Sequence, residues 1–263
     1  MVNLDKKGIV VLTHYRSGGT QFVKVLIEYL EALKIDYVNL SELDFNDDYN
    51  FDATLNYKQY VDSIFLDNSD KFKIIHLNNH LVITYLMSID YFPKLIDLYD
   101  IHCIERKNRI NALTSLSLWE EFIGRGYYSF NHYPPEIMHE FHNYLLENPI
   151  PASYLHTGID YGMSINNKRN YIDFQVSIYN SKVHSNRYLA SKYNIPIFYY
   201  EDYEYNQEYF KKKLDSSKLS QEDQKTFFHR IDNTYRKIPY IYSDYSLYYE
   251  PIVQEVLKYW YEE

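Results

Sequence analysis

The feature of this sequence that most limits its fold is an apolar run that leads through two adjacent glycines into an amphipathic helix. The run GIVVLT, Gly8 to Thr13, is short and β-branched, which is typical of a buried parallel strand. After Gly18 and Gly19, apolar residues recur three and four positions apart from Phe22 to Leu33, which predicts a helix. A strand, a glycine loop and a helix in direct succession predict the first unit of an α/β fold.

Later segments repeat the alternation of strand and helix. The further predicted strands are Ile35–Leu40, Phe72–Leu77, Ile101–Glu105 and Ile195–Glu201, and a helix predicted around Ile172 to Tyr193 precedes the last of them. We therefore predict a single α/β domain, 1–263, in three layers, with a central parallel sheet of about five strands flanked by helices. The weakly periodic stretch 124–170, with a short helix near Ile137 to Leu146, is expected to form an irregular lid or acceptor-binding insertion.

Charge and cysteine content exclude several classes of function. The net charge of -9 argues against a broad surface for nucleic acid or anionic membranes, so an anion site must be built locally. A single cysteine, Cys103, excludes an intramolecular disulfide, and the scattered histidines lack metal-ligand spacing, so no metal is expected. No apolar run is long enough for a signal peptide or a membrane span, which favours a soluble, cytoplasmic protein. The single cysteine suits a reducing compartment or a virus-infected cytoplasm, and a bacterial or viral origin is compatible with both features. Oligomeric state cannot be inferred from the sequence.

The loop after the first strand is a candidate anion site. The first amides of a helix have no intrahelical acceptor, and glycine lets such a backbone approach an anion closely. An arginine fork, two hydroxyls and an amide side chain can add donors. The candidate residues are Arg16, Ser17, Gly18, Gly19, Thr20 and Gln21. A tight turn without a ligand is the alternative, and the missing lysine of the G-x-x-x-x-G-K-S/T pattern argues against an ordinary ATPase or GTPase.

The segment YRSGGTQF resembles the 5′-phosphosulfate loop of the sulfotransferases, which reads Lys/Arg, Ser, Gly, then small or hydroxyl residues. This resemblance implies a P-loop NTPase-like sulfotransferase fold and the donor 3′-phosphoadenosine-5′-phosphosulfate (PAPS), with no metal. It also implies a 3′-phosphate site in which a basic residue after a strand is followed eight residues later by a hydroxyl. Arg106 with Thr114 fits this spacing, as does Lys107 with Ser115, and Arg106 is preferred because of the strand register. Lys237 is a further nucleotide contact suggested by the resemblance.

The resemblance extends to a general base, which takes the proton of the acceptor hydroxyl while Arg16 assists the departing phosphate. Glu42, after the second strand, is the first candidate, and His80, after the third, is the second. His76 is interpreted as a buried, hydrogen-bonded histidine, and His14 either contacts phosphate or packs. The predicted function is sulfuryl transfer from PAPS to a hydroxyl of a carbohydrate or small molecule. The alternatives are a kinase with an atypical phosphate loop and a non-catalytic nucleotide-binding relative.

Overall fold

The structure is a computed structural model that describes residues 2–14, 17–40, 61–66, 70–78, 80–113, 165–203 and 207–234, together with Gln254 and Lys258. The chain divides into two compact units. The first consists of Met1–Glu105 and Val183–Tyr235 and holds every strand that the described residues form. The second consists of Arg106–Lys182 and Arg236–Glu263. The interpretation of the chain as a single domain stays a prediction.

Strands and helices alternate along the described chain. The strands are β1 (Gly8–Leu12), β2 (Tyr37–Leu40), β3 (Phe72–Leu77), β4 (Asp100–Glu105) and β5 (Ile197–Tyr199). The helices are α1 (Gly19–Ala32), α2 (His80–Ser88), α3 (Phe92–Leu98), α4 (Ile165–Tyr193), α5 (Tyr200–Tyr203), α6 (Gln207–Lys213) and α7 (Gln221–Thr234), with a 3-10 turn at Ser216–Lys218. Residues 61–65 and 109–113 are also helical. Only the end of α4, from Val183 onward, belongs to the first unit.

The five strands form one sheet in the order β2-β3-β1-β4-β5, and every pair is parallel. This confirms the predicted α/β class and the predicted parallel sheet of five strands. β1 is the middle strand of the sheet, and all five of its residues are buried. A continuous apolar strand is expected at such a position, because helices cover both faces of the sheet there. Val11 of β1 lies opposite His76 of β3 and His102 of β4.

Each face of the sheet has its own apolar core, because successive strand residues point to opposite faces. On one face, Ile9 and Val11 pack with α1, α6 and α7. On the other, Val10 and Leu12 pack with the helical segment 61–65, with α2 and α3, and with the end of α4. Helices therefore cover both faces, which is the three-layer arrangement predicted from the alternation of elements.

Several predicted boundaries differ from the observed ones. The strand predicted to reach Glu201 ends at Tyr199, and the next four residues are helical. That part of the prediction is wrong because Glu201 and Asp202 occupy a first helical turn, where acidic side chains are stabilised by the helix dipole. α4 begins at Ile165, seven residues before the predicted start at Ile172. The stretch 114–164, which includes the short helix predicted near 137–146, lies outside the described residues.

Candidate functional site

The loop between β1 and α1 lies at a point where the sheet changes its winding direction. α1 packs on one face of the sheet, whereas α2, which follows the neighbouring strand β3, packs on the opposite face. Loops that leave neighbouring parallel strands toward opposite faces open a crevice beyond the carboxyl ends of those strands, where α/β proteins bind their ligands. The sequence places the two glycines at this crevice.

The backbone of the loop prepares the start of α1. Gly18 is the residue before the helix and has φ 87° and ψ 10°, a left-handed conformation that favours glycine. The amide of Phe22 donates to the carbonyl of Gly18 at 3.1 Å and closes the first helical turn. The amides of residues 19–21 therefore precede the first intrahelical bond, and this turn contains no acidic residue. The partial positive charge of the helix start thus meets no carboxylate within the turn.

Both glycines are also required by close packing. A Cβ on Gly18 would lie 2.7 Å from Cε2 of Tyr200 and closer still to Cδ2 of the same ring. A Cβ on Gly19 would lie 2.7 Å from Nε2 of His76 and would overlap the methyl group of Thr13. The two glycines therefore let Tyr200 on one side, and the pair of Thr13 and His76 on the other, approach the backbone of the loop.

Buried polar atoms that lack a protein hydrogen bond lie around the same edge of the sheet. Among the described residues, the Oγ of Ser17, the Nδ1 of His76, the Oδ1 of Asn78 and both amide atoms of Asn186 have no hydrogen-bond partner, and neither does the Nδ1 of His102, which lies within β4 and away from this edge. Ser17 and Asn186 are each only 1% exposed. Ser17 precedes α1, and His76 and Asn78 lie at the end of β3. Because buried polar groups in proteins are almost always paired, such a concentration at one edge indicates a ligand site.

Thr13 and His76 pack against the backbone of Gly19 at the start of α1. The Oγ1 of Thr13 and the Nε2 of His76 are 2.8 Å apart, and both side chains are buried. Burial lowers the pKa of His76 from its usual value of 6.5 to about 4, because removal from water penalises the charged imidazolium. His76 is therefore neutral at physiological pH and adds no charge to the loop.

The lowered pKa of His76 predicts a specific loss of stability in acid. Below pH 6.5 the unfolded chain binds a proton at this imidazole and the folded chain does not, so stability falls as the pH falls toward 4. The free energy of unfolding should drop by about 2 kcal/mol between pH 7 and pH 5 through this group alone. Urea titrations of wild type and of His76→Gln, which cannot titrate, measure the difference. Equal pH dependence in the two proteins would contradict the assignment.

The end of β4 carries a buried ion pair. The carboxylate of Glu105, whose side chain is 1% exposed, accepts the N–H of Arg187 Nε, which is shared between its two oxygens, and an N–H of Nη2, at 2.8 to 3.2 Å. This bidentate pair fixes the last turns of α4 against the carboxyl end of β4. Arg106 follows Glu105 directly in the sequence and is itself buried. Burial raises the pKa of the Cys103 thiol, and the nearby Glu105 carboxylate adds to this, so Cys103 is an unreactive core residue.

The structure describes some of the predicted site residues and not others. Ser17, Gly18, Gly19, Thr20 and Gln21 form the turn that begins α1. His80 is the first residue of α2, directly after the end of β3. The remaining predicted site residues, namely Arg16, Glu42, Thr114, Ser115 and Lys237, lie outside the described residues.

Three residues of this region have no counterpart in the sequence-based site. The sequence predicts Thr13 as part of the first strand and Tyr200 as part of the last strand. Asn186 lies at helical spacing between the buried Val183 and Ala190, so it is a polar residue within an apolar stripe. This polar interruption of an apolar pattern is the feature of the sequence that could have pointed to Asn186.

The opposite edge of the sheet has a different character. An open depression of about 670 Å³ is lined there by Lys6, Lys7, Asp36, Lys71 and neighbouring apolar residues. Two of its lysines already have partners, since Lys6 donates to the carbonyls of Ile96 and Asp97, and Lys71 pairs with Asp36 at 3.2 Å. We therefore place the candidate site at the carboxyl edge, where Ser17, His76 and Asn186 have buried polar atoms with no hydrogen-bond partner among the described residues.

The described part of the chain contains neither a cluster of metal-binding side chains nor a membrane-spanning helix. No group of three His, Cys, Asp or Glu side chains in these ranges is arranged to hold a metal ion. None of the helices among the same residues is both long enough and apolar enough to span a bilayer.

Comparison of the chain with protein-family models, curated proteins and solved structures gives no match. The resemblance to sulfotransferases consequently rests on the quoted motifs and stays a proposal.

Proposed function

We propose that this protein is a PAPS-dependent sulfotransferase that transfers a sulfuryl group to a hydroxyl of a carbohydrate or small molecule. The observation that carries the proposal is the loop between β1 and α1. It joins the central strand of the sheet to a helix start without carboxylates, and it holds the buried, unpartnered Oγ of Ser17. This combination suits the 5′-phosphosulfate end of PAPS.

The residue pattern of the loop favours this donor over a nucleoside triphosphate. ATP and GTP sites of this kind use a lysine just before the hydroxyl residue to reach the terminal phosphates, and here Gly19 precedes Thr20. Packing supports the same conclusion, because a side chain in place of Gly19 would overlap Thr13 and His76. Arg16, Ser17 and Thr20 are the proposed ligands of the 5′-phosphosulfate, with Gln21 as a further donor.

The sheet order supports a second phosphate site. β4 is hydrogen-bonded to β1, so the carboxyl ends of these two strands are neighbours about 4.8 Å apart. Arg106 is the first residue after β4. We propose that Arg106 binds the 3′-phosphate of the donor together with Thr114 or Ser115. In the alternative register, Lys107 binds this phosphate together with Ser115. Lys237 is the proposed additional contact to the nucleotide.

The proposed transfer breaks the bond between sulfur and the phosphate oxygen and forms a bond between sulfur and the acceptor oxygen. Arg16 and the loop donors stabilise the charge that develops on the departing phosphate. Glu42 is the proposed base that takes the proton of the acceptor hydroxyl, and His80 is the alternative. The neutral His76 is hydrogen-bonded to Thr13 beside the loop and is not assigned to proton transfer.

A nucleotide titration tests the proposal. 3′-Phosphoadenosine 5′-phosphate at 100 times its Kd should stabilise the protein by about 2.7 kcal/mol, measured as a rise in Tm. ATP with magnesium should stabilise it less. Arg16→Ala should weaken binding by about tenfold or more, because a charge-assisted hydrogen bond is lost. Arg106→Ala should remove the preference for 3′-phosphoadenosine 5′-phosphate over AMP.

Arg230→Ala is the matched control, since Arg230 is an exposed arginine of α7 paired with Glu28 and Glu31. It should bind all three nucleotides as wild type does. Stabilisation by ATP and magnesium alone would favour the kinase alternative and reject the sulfotransferase. Binding of the bisphosphate without sulfuryl transfer to any tested acceptor would favour the non-catalytic relative.

A further inference from the structure

Asn186 is, together with Ser17, the most deeply buried polar side chain of the described residues for which the protein supplies no hydrogen bond. The residue is 1% exposed, and neither the Oδ1 nor the Nδ2 of its amide has a partner among the described residues. Leaving a buried donor or acceptor unpaired costs about 1–3 kcal/mol for each group. A side chain that carries two such groups is expected to have a partner outside the chain.

The position of Asn186 follows from its neighbours on α4. Leu189 and Ala190 pack in the core formed with Leu12 and Cys103, so this stripe of the helix faces the sheet. Asn186 lies one turn before Ala190 on the same stripe. Since α4 ends at Tyr193 just before β5 begins, the helix runs opposite to the strands, and earlier turns lie nearer the carboxyl edge.

The neighbouring Arg187 fixes the height of this turn. Its guanidinium pairs with Glu105, the last residue of β4, so this turn of α4 lies near the end of that strand. Helical side chains lean toward the helix N-terminus, which directs this amide beyond the strand ends. Asn186 and the loop after β1 are thus both at the carboxyl edge where the sheet changes its winding direction.

We infer that Asn186 reads the edge of the adenine ring of the nucleotide donor, an inference that rests on the proposed function. Both ends of one amide are unpartnered, so the ligand must present a donor and an acceptor side by side. The exocyclic amine and adjacent ring nitrogen of adenine do this, and asparagine is a regular bidentate partner of that edge. A single hydroxyl of the sulfuryl acceptor could hydrogen-bond only one end of the Asn186 amide at a time, and it would leave the other end unpaired. Both amide atoms are covered in this structure, so the inference requires that the side chains around Asn186 move when the nucleotide binds.

Asn186→Leu tests the inference because it keeps the size of the side chain and removes both polar atoms. Without ligand the variant should have an unchanged or higher Tm, since no protein hydrogen bond is lost. Its affinity for 3′-phosphoadenosine 5′-phosphate, measured by calorimetry, should fall at least about tenfold. The purine riboside 3′,5′-bisphosphate lacks the exocyclic amine. Wild type should bind it roughly tenfold more weakly than the adenosine compound, and Asn186→Leu should bind the two equally.

His184→Leu is the control, because His184 is an exposed polar residue on the same helix, and it should discriminate between the two ligands as wild type does. If wild type binds neither bisphosphate, the proposed function fails, and the inference fails with it. If wild type binds and Asn186→Leu keeps both affinity and discrimination, the inference alone fails. A lower Tm of Asn186→Leu without ligand would show that the amide has a structural role and would also reject it. Should Asn186→Leu not fold, Asn186→Ala is measured instead, and discrimination retained in that variant rejects the inference.

Discussion

Replacement of Gly18 with alanine is expected to lower the free energy of unfolding by about 3 kcal/mol. One part of this loss is conformational, because Gly18 has φ 87° and a left-handed backbone costs an alanine about 1–2 kcal/mol. The other part is steric, since the new methyl group would overlap the ring of Tyr200, and overpacking costs about 1–3 kcal/mol. The overlap should also displace the first turn of α1 and weaken nucleotide binding.

Urea unfolding of Gly18→Ala and of Asn194→Ala separates the two contributions. Asn194 is exposed and also has a left-handed backbone, with φ 54°, so its replacement reports the conformational part without the overlap. We expect a loss of about 1 kcal/mol for Asn194→Ala. An equally small loss for Gly18→Ala would show that Tyr200 does not pack against the loop.

Arg187→Met is expected to destabilise the protein by about 3 kcal/mol. The substitution leaves the carboxylate of Glu105 buried without its partner, and breaking a buried ion pair from one side costs about 3–5 kcal/mol. The side chain of Arg187 is 45% exposed, so water screens part of the interaction and the lower end of this range applies. Thermal or urea unfolding at pH 7 measures the loss.

Two further variants identify the cause of that loss. In Glu105→Leu/Arg187→Met the unpaired carboxylate is absent, so most of the lost stability should return. Arg230→Met removes a pair in which the arginine is exposed, on α7, and should cost less than about 1 kcal/mol. If the double variant were as unstable as Arg187→Met, the loss would come from packing of the arginine stem rather than from the buried charge.

Gly18, in the loop after β1, and Arg187, on α4, both lie near the carboxyl edge of the sheet. Gly18 determines how closely the loop of β1 approaches Tyr200, and Arg187 determines the height of α4 at the end of β4. The Asn186 amide lies one residue from that ion pair. A loss of the pair is therefore expected to disturb the proposed adenine contact of Asn186 as well as the stability, whereas the overlap at Gly18 affects the proposed phosphosulfate loop first.

The sequence by itself determined the class of the fold. The apolar run GIVVL has no polar alternation, which indicates burial on both faces, and the alternation of five strand patterns with helices predicts a parallel sheet covered by helices. The glycine pair with its neighbouring hydroxyls likewise marked the loop after β1. These features are local, since each depends on residues that are close together in the chain.

Only the tertiary structure decided which residues meet at the carboxyl edge. Strand order is not encoded in the alternation of elements, so the adjacency of β1 to both β3 and β4 came from the sheet itself. The contact of Gly19 with His76, the packing of Tyr200 on Gly18 and the ion pair between Glu105 and Arg187 join residues 57, 182 and 82 positions apart. Such contacts depend on how the helices pack against the sheet, because burial, and not local pattern, selects the partner of each side chain.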